Sequence, residues 1–160
     1  MSGWDPTWHI RPAQPEAREF VLKLTPRLTQ GFPLPPGRTA EEVVQAETRT
    51  LAAALDSPDA DTALLIAERP DGHRGGMVYL QQPVDYFRQR PHAHVAILTV
   101  SSEWEGHGAG RALLEAAEGW ARSRGVEMIT LHVFVGNARA QAVYERQGYV
   151  AETLRYVKWL

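Results

Sequence analysis

The sequence has 160 residues, 44% of them hydrophobic and 22% charged, a balance that suits one α/β domain with its own core over residues 1–160. Seventeen basic against nineteen acidic residues leave a formal charge of −2, so no broad electrostatic pull toward nucleic acid or anionic membrane is expected and any anion must be held locally. The lack of cysteine excludes disulfides, thiolate metal sites and a cysteine nucleophile.

The opening "MSGWDPTWHIRP" lacks the basic and apolar regions of a signal peptide, and no apolar run reaches the roughly 20 residues of a membrane span. A cytoplasmic protein without membrane attachment is the expectation. "TWHIRPA" reads as a short first strand. "PEAREFVLKLTPRL" follows as a helix, with Phe20, Leu24 and Leu28 at helical spacing, and "TQGFPLPPGR" ends it. Thr39 caps a second helix with Glu42 as its capping-box partner and Val44, Leu51 and Leu55 facing inward; "SPDAD" closes it. "TALLIAERPDGHRGGMVYLQQ" predicts a hairpin around Pro70-Asp71-Gly72, and "HAHVAILTV" the next strand.

A glycine-rich turn, "EGHGAG", then leads into a helix with Leu113, Ala117, Trp120 and Ala121 on one face, ending near Arg124-Gly125. "EMITLHVFV" is a further strand, "NARAQAVYERQG" a helix opened by Asn137 and closed by Gly148, and "YVAETLRYVKWL" the last strand or strands. The order β-α-α-β-β-β-α-β-α-β predicts a mixed sheet with helices on its faces.

The turn fits neither of two familiar phosphate cradles. A dinucleotide fingerprint needs glycine at 111, where Arg111 stands, and "AGRALL" offers no Gly-Lys-Ser/Thr. What remains is a set of glycine-freed amides ahead of a helix N-terminus, suited to a phosphate or pyrophosphate, with Arg111 adding a positive charge; a plain strand-to-helix turn explains the glycines equally well.

The stretch from Val95 to Val150 resembles the core of the GNAT N-acetyltransferase superfamily. That resemblance implies an α/β fold with a mostly antiparallel sheet, flanked by helices and splayed at its central strands. The family turn, Arg/Gln-x-x-Gly-x-Gly/Ala, is matched by Glu105 through Gly110, with a departure at Glu105, where a carboxylate stands in place of Arg or Gln. The resemblance assigns acetyl-CoA to His107, Gly108, Ala109, Gly110 and Arg111, and its pantetheine arm to the backbone of Leu98, Thr99 and Val100. An amide there, that of Leu98 by alignment, would also stabilise the oxyanion. The pair Asn137 and Tyr144 matches the family's asparagine and the tyrosine seven residues on: Asn137 as a cofactor contact and helix cap, Tyr144 as the general acid for the departing thiolate, which its phenol suits.

The family often places a base eleven residues before the Arg/Gln position, which falls on His94 here. An imidazole suits an ammonium nucleophile near neutral pH, while a water chain or a histidine hydrogen-bonded in place are the alternatives. His92 and His94 share a strand face and His132 falls on the neighbouring strand, but further ligands for a metal are missing. Asp85, Tyr86 and Phe87 are the candidate acceptor contacts, an acidic group beside two aromatics; a surface loop is their other reading. The expected function is direct transfer from acetyl-CoA to a primary amine, with a small-molecule acceptor favoured over a protein. Two alternatives stay open: a non-catalytic acyl-CoA-binding domain, and an interaction protein in which the Asp85–Phe87 loop and an apolar last strand form a homodimer interface.

Overall fold

A computed structural model describes residues 7–160. The opening residues before Thr7, invoked above for targeting, lie outside the described part. The chain runs through β1 (His9–Pro12), α1 (Arg18–Lys23), α2 (Ala40–Asp56), β2 (Ala63–Glu68), β3 (Arg74–Gln81), β4 (Ala93–Val100), α3 (Ala109–Ser123), β5 (Ile129–Leu131) and α4 (Ala138–Arg146). The five strands form one sheet in the order β1-β2-β3-β4-β5; neighbours are antiparallel except β4 and β5, which run parallel.

The predicted first helix is broken into three. Residues Pro15–Ala17 form a tight turn, α1 follows, and Thr25–Thr29 makes another 3-10 turn. Pro26 has no N–H to continue an α-helix, and the Thr25 hydroxyl donates to Leu22 O at 2.9 Å. This break turns Arg27 back toward the sheet.

α2 starts as expected, with the Thr39 hydroxyl accepting from the Glu42 amide at 3.2 Å. The reciprocal half of the predicted box is absent among the described hydrogen bonds; the Glu42 carboxylate accepts from Arg38 and the Thr39 hydroxyl instead. The β2–β3 hairpin is present, turning through Arg69–Gly72 with the Gly72 amide donating to Arg69 O.

Both faces of the sheet are covered. Val21 and Leu24 near α1 and Leu51 of α2 pack on Ile66, Met77, Tyr79 and Ile97. Ala109, Leu113 and Ala117 of α3 pack on Ala67, Val78, Leu80 and Val95. A bulge in β4 makes this possible: Tyr79 faces Ile97 while Leu80 faces Val95, so Ala96 is an extra residue and the alternation reverses there. Val95 thereby meets α3 and Ile97 meets the other face.

Two strand expectations need correction. The predicted "EMITLHVFV" strand shrinks to Ile129–Leu131, because β5 has a partner only along the first half of β4. "YVAETLRYVKWL" forms no strand, since residues 150–160 have no ladder partner among the described residues and stand exposed.

Candidate active site

β4 and β5 pair only from Ala93 opposite Ile129 to Val95 opposite Leu131, and beyond that point they part. The splay leaves the β5-side edge of Leu98, Thr99 and Val100 without a strand partner among the described residues. The Arg27 side chain occupies the far end of this edge, its Nε donating to Val100 O at 3.2 Å.

The glycine turn follows directly. Gly106 (φ +78°) and Gly108 (φ +83°) are left-handed, a conformation that costs residues with a Cβ about 1–2 kcal/mol. No atom lies within 4 Å of where a Cβ would sit on either one, so both open onto free space. Gly108 caps α3 without a side chain. The amides of Gly108, Ala109, Gly110 and Arg111 have no acceptor among the described residues, so four donors and the positive end of the helix dipole face outward together.

His107 differs from the others. Its amide closes the turn onto Trp104 O at 3.2 Å, and its carbonyl accepts from the Trp8 indole at 2.8 Å. His107 thus fixes the shape of the cradle and its amide is spent internally. Trp104 packs edge-on against Trp8 with centroids 5.5 Å apart, and the Arg69 guanidinium lies 4.6 Å from the Trp104 ring centroid. Arg111 leans along α3 and pairs with Glu115 at 2.9 Å.

Glu105 sits between two cations: Arg27 at 3.3 Å and Arg139 at 2.5 Å. Two guanidiniums around one carboxylate leave this wall of the cradle net positive.

α4 is joined to the turn through Arg139 and Glu105. The Asn137 carboxamide oxygen accepts from the Ala140 amide at 3.2 Å, which makes Asn137 the cap that begins the helix. Tyr144 lies two turns along, half-buried, its ring 6.0 Å from that of Tyr149. Burial raises the Tyr144 pKa above the ordinary phenol value, so the hydroxyl stays protonated at rest. Tyr149 donates to Glu118 at 3.3 Å, whereas the Tyr144 hydroxyl has no hydrogen-bond partner among the described residues. Its proton is therefore available.

His92, His94 and His132 gather where β4 still pairs with β5. The Thr130 hydroxyl lies 3.0 Å from His92 Nε2 and 2.8 Å from His94 Nδ1, within hydrogen-bond reach of both rings. The His94 and His132 ring centroids are 5.1 Å apart. Burial first, then the neighbouring His132 and His92, lower the His94 pKa to about 4. His94 is neutral at pH 7 and holds a lone pair, but as a base it is weaker than an exposed imidazole.

Asp85, Tyr86 and Phe87 lie at the other end of β4 from the glycine turn, in a loop closed by the Val84–Pro91 bridge. The Asp85 carboxylate is engaged by the Arg88 amide at 2.8 Å. Tyr86 and Phe87 pack on each other with centroids 5.4 Å apart and are otherwise exposed. The sequence reading missed Arg27, Arg139, Trp8 and Thr130. Each is distant in sequence from the residue it serves, and no local pattern marks it.

A family model described as the acetyltransferase (GNAT) family matches residues 32–149. The aminoglycoside N(6')-acetyltransferase type 1 of Stenotrophomonas maltophilia is 30% identical over 121 residues, which is 74% of each chain. The mycothiol acetyltransferase of Propionibacterium freudenreichii subsp. shermanii is 45% identical over 60 residues; these cover 38% of this chain and only 19% of that protein. Among solved structures, an acetyltransferase assigned by resemblance from Pyrococcus furiosus superposes with a TM-score of 0.76 at 27% identity, over 96% of this chain and all of that one. The chain belongs to the acetyltransferase (GNAT) family, a family of N-acetyltransferases. No helix among the described residues is long and apolar enough to cross a membrane.

Proposed function

We propose that this chain transfers the acetyl group of acetyl-CoA directly to a primary amine of a small molecule. The observation that carries the reading is the juxtaposition of an open strand edge, at Leu98–Val100, with four unpaired amides at the start of α3. A pyrophosphate needs such donors, and a pantetheine arm, which bears amides of its own, needs such an edge. The open space over Gly106 and Gly108 fits a ligand backbone brought close to the turn.

Acetyl-CoA supplies the activated acyl group. Gly108, Ala109, Gly110 and Arg111 would hold its phosphates, with His107 shaping the turn and Arg27 and Arg139 offsetting Glu105. The Leu98 amide would stabilise developing negative charge on the carbonyl oxygen. Asn137 begins the helix that carries Tyr144, whose free hydroxyl would give its proton to the leaving sulfur. His94, neutral and linked through Thr130 to His92, would accept or relay the amine's proton, which suits a weak base better than full abstraction from an ammonium. Much of the acceleration would come from holding thioester and amine in line.

A small-molecule acceptor is supported by the names of the relatives, an aminoglycoside and a mycothiol acetyltransferase. Tyr86 and Phe87 offer exposed aromatic surface beside Asp85, which would meet the acceptor amine. Thermal melting with acetyl-CoA, using ATP and NAD as controls, tests the cofactor. At a hundredfold excess over Kd the gain is about 2.7 kcal/mol, or roughly 5–10 °C. A shift with acetyl-CoA alone, followed by free-thiol release with members of an amine panel, is the expected result; no shift at millimolar acetyl-CoA would overturn the reading.

A further inference from the structure

The four amides that face outward at the start of α3 are not fixed in the same way. Those of Ala109, Gly110 and Arg111 belong to the helix, which sets their direction. The amide of Gly108 belongs to the peptide before it, which lies outside the helix. Gly108 has φ +83°, and a glycine takes the opposite sign of φ about as readily, so this residue alone does not choose which way the 107–108 peptide faces.

Trp8, the residue before β1, makes the choice. A trans peptide carries its C=O and N–H on opposite sides. The Trp8 indole donates to His107 O at 2.8 Å, so the carbonyl is held toward Trp8 and the Gly108 amide is turned the other way. That amide has no acceptor among the described residues, and no atom lies within 4 Å of where a Gly108 Cβ would sit. A flipped peptide would bring the His107 carbonyl outward instead, setting an acceptor where an anion needs a donor.

The indole is itself held in place by its neighbours. Trp104 meets it edge-on with centroids 5.5 Å apart, and the Arg69 guanidinium lies 5.7 Å from the Trp8 centroid and 4.6 Å from that of Trp104. On β3, a Cβ at Gly75 would overlap the far edge of the Trp8 ring, so the ring occupies space that only glycine leaves. The Trp104 indole nitrogen is buried without a hydrogen-bond partner among the described residues, so of these two stacked tryptophans only Trp8 bonds to the turn. The rest of His107 is engaged elsewhere: its amide donates to Trp104 O at 3.2 Å and its Nδ1 lies 3.0 Å from Glu105 O.

We propose that Trp8 is a positioning residue for the anion cradle: its indole locks the 107–108 peptide with the Gly108 N–H facing the pyrophosphate, and Gly75 provides the room for the ring to do so. The identity of the ligand rests on the acetyl-CoA reading, whereas the lock is a property of the free protein.

Trp8→Phe keeps an aromatic ring against Trp104 and removes the donor. In isothermal titration its Kd for acetyl-CoA should rise about three- to tenfold, the scale of one neutral hydrogen bond, with the melting temperature close to that of the wild type. Nuclear magnetic resonance of glycine-labelled protein reads the lock without a ligand: the Gly108 amide should give one sharp resonance in the wild type and a broadened or doubled one in Trp8→Phe. Gly75→Ala, which pushes the indole aside, should raise the Kd likewise, and adding it to Trp8→Phe should cost little more, because the shorter ring no longer meets that Cβ. Should both variants fail to fold, the wild type decides alone, and a Gly108 amide already broadened in the free protein would overturn the proposal. Trp8→Phe binding acetyl-CoA as tightly as the wild type, or keeping a sharp Gly108 resonance, would overturn it too. A wild type that binds no acetyl-CoA would instead overturn the cofactor reading, with the lock still decided by the Gly108 resonance.

Discussion

Arg139, in the first turn of α4, reaches across to Glu105 in the glycine turn and meets its carboxylate at 2.5 Å. Arg27 approaches the same carboxylate from the other side at 3.3 Å. The departure from the family motif at position 105 is thereby offset by two residues outside the motif, and the local charge stays positive where a pyrophosphate would sit.

Arg139→Ala leaves Glu105 with one partner facing the bound anion. Acetyl-CoA affinity should fall roughly three- to tenfold, a modest change because Arg139 is largely exposed and screened. Glu105→Gln removes the negative charge and should keep or improve the affinity. Isothermal titration of both variants checks the pair; equal affinities in both and in the wild type would detach Glu105 from the cofactor.

Tyr144→Phe removes a hydroxyl that has no structural partner among the described residues, so the fold and the acetyl-CoA affinity should be nearly unchanged. Turnover should drop by about 100-fold, the usual scale for a lost general acid. Steady-state kinetics separates the two effects, and normal kcat would take Tyr144 out of the chemistry.

Gly108→Asp places a Cβ at φ +83° and a carboxylate over the helix N-terminus. Acetyl-CoA binding should weaken by more than about 100-fold, from strain and charge together. Gly108→Asn is the control: asparagine tolerates the left-handed region and carries no charge, so it should lose much less. Titration of the two variants against acetyl-CoA compares them directly.

His94 makes stability depend on pH. Its pKa falls from 6.5 to about 4 on folding, so the unfolded chain binds more protons between those values. The stability is fully present above pH 6.5 and is lost progressively as pH falls toward 4, by less than the roughly 3.4 kcal/mol that a fully buried imidazole would lose over that range. Urea melts at several pH values should show this decline, and His94→Gln should flatten it. A variant with the wild-type slope would assign the dependence to other groups.

The segment order as far as α4, the helix starts at Thr39 and Asn137, the hairpin and the glycine turn were all legible in the sequence, because each depends on neighbours within a few residues. Capping, left-handed glycines and the 3.6-residue and two-residue periods are local physics. Asn137 as a helix cap was legible for the same reason, whereas Tyr144 was singled out by the family resemblance.

Other features depend on distant partners. Pro26 is visible in the sequence, but that the resulting break aims Arg27 at Val100 O depends on where α1 packs. The depressed pKa of His94 arises from burial beside His132 and His92, which only the pairing of β4 with β5 creates. The strand propensity of residues 150–160 is a property of the sequence, but a strand exists only where an edge is within reach. By itself the sequence determined the helix starts, the hairpin and the left-handed glycines of the turn before α3. The tertiary structure alone decided how Glu105 is offset, how weak a base His94 becomes, and that β5 is left open, because each is an interaction between groups whose distance no local rule sets.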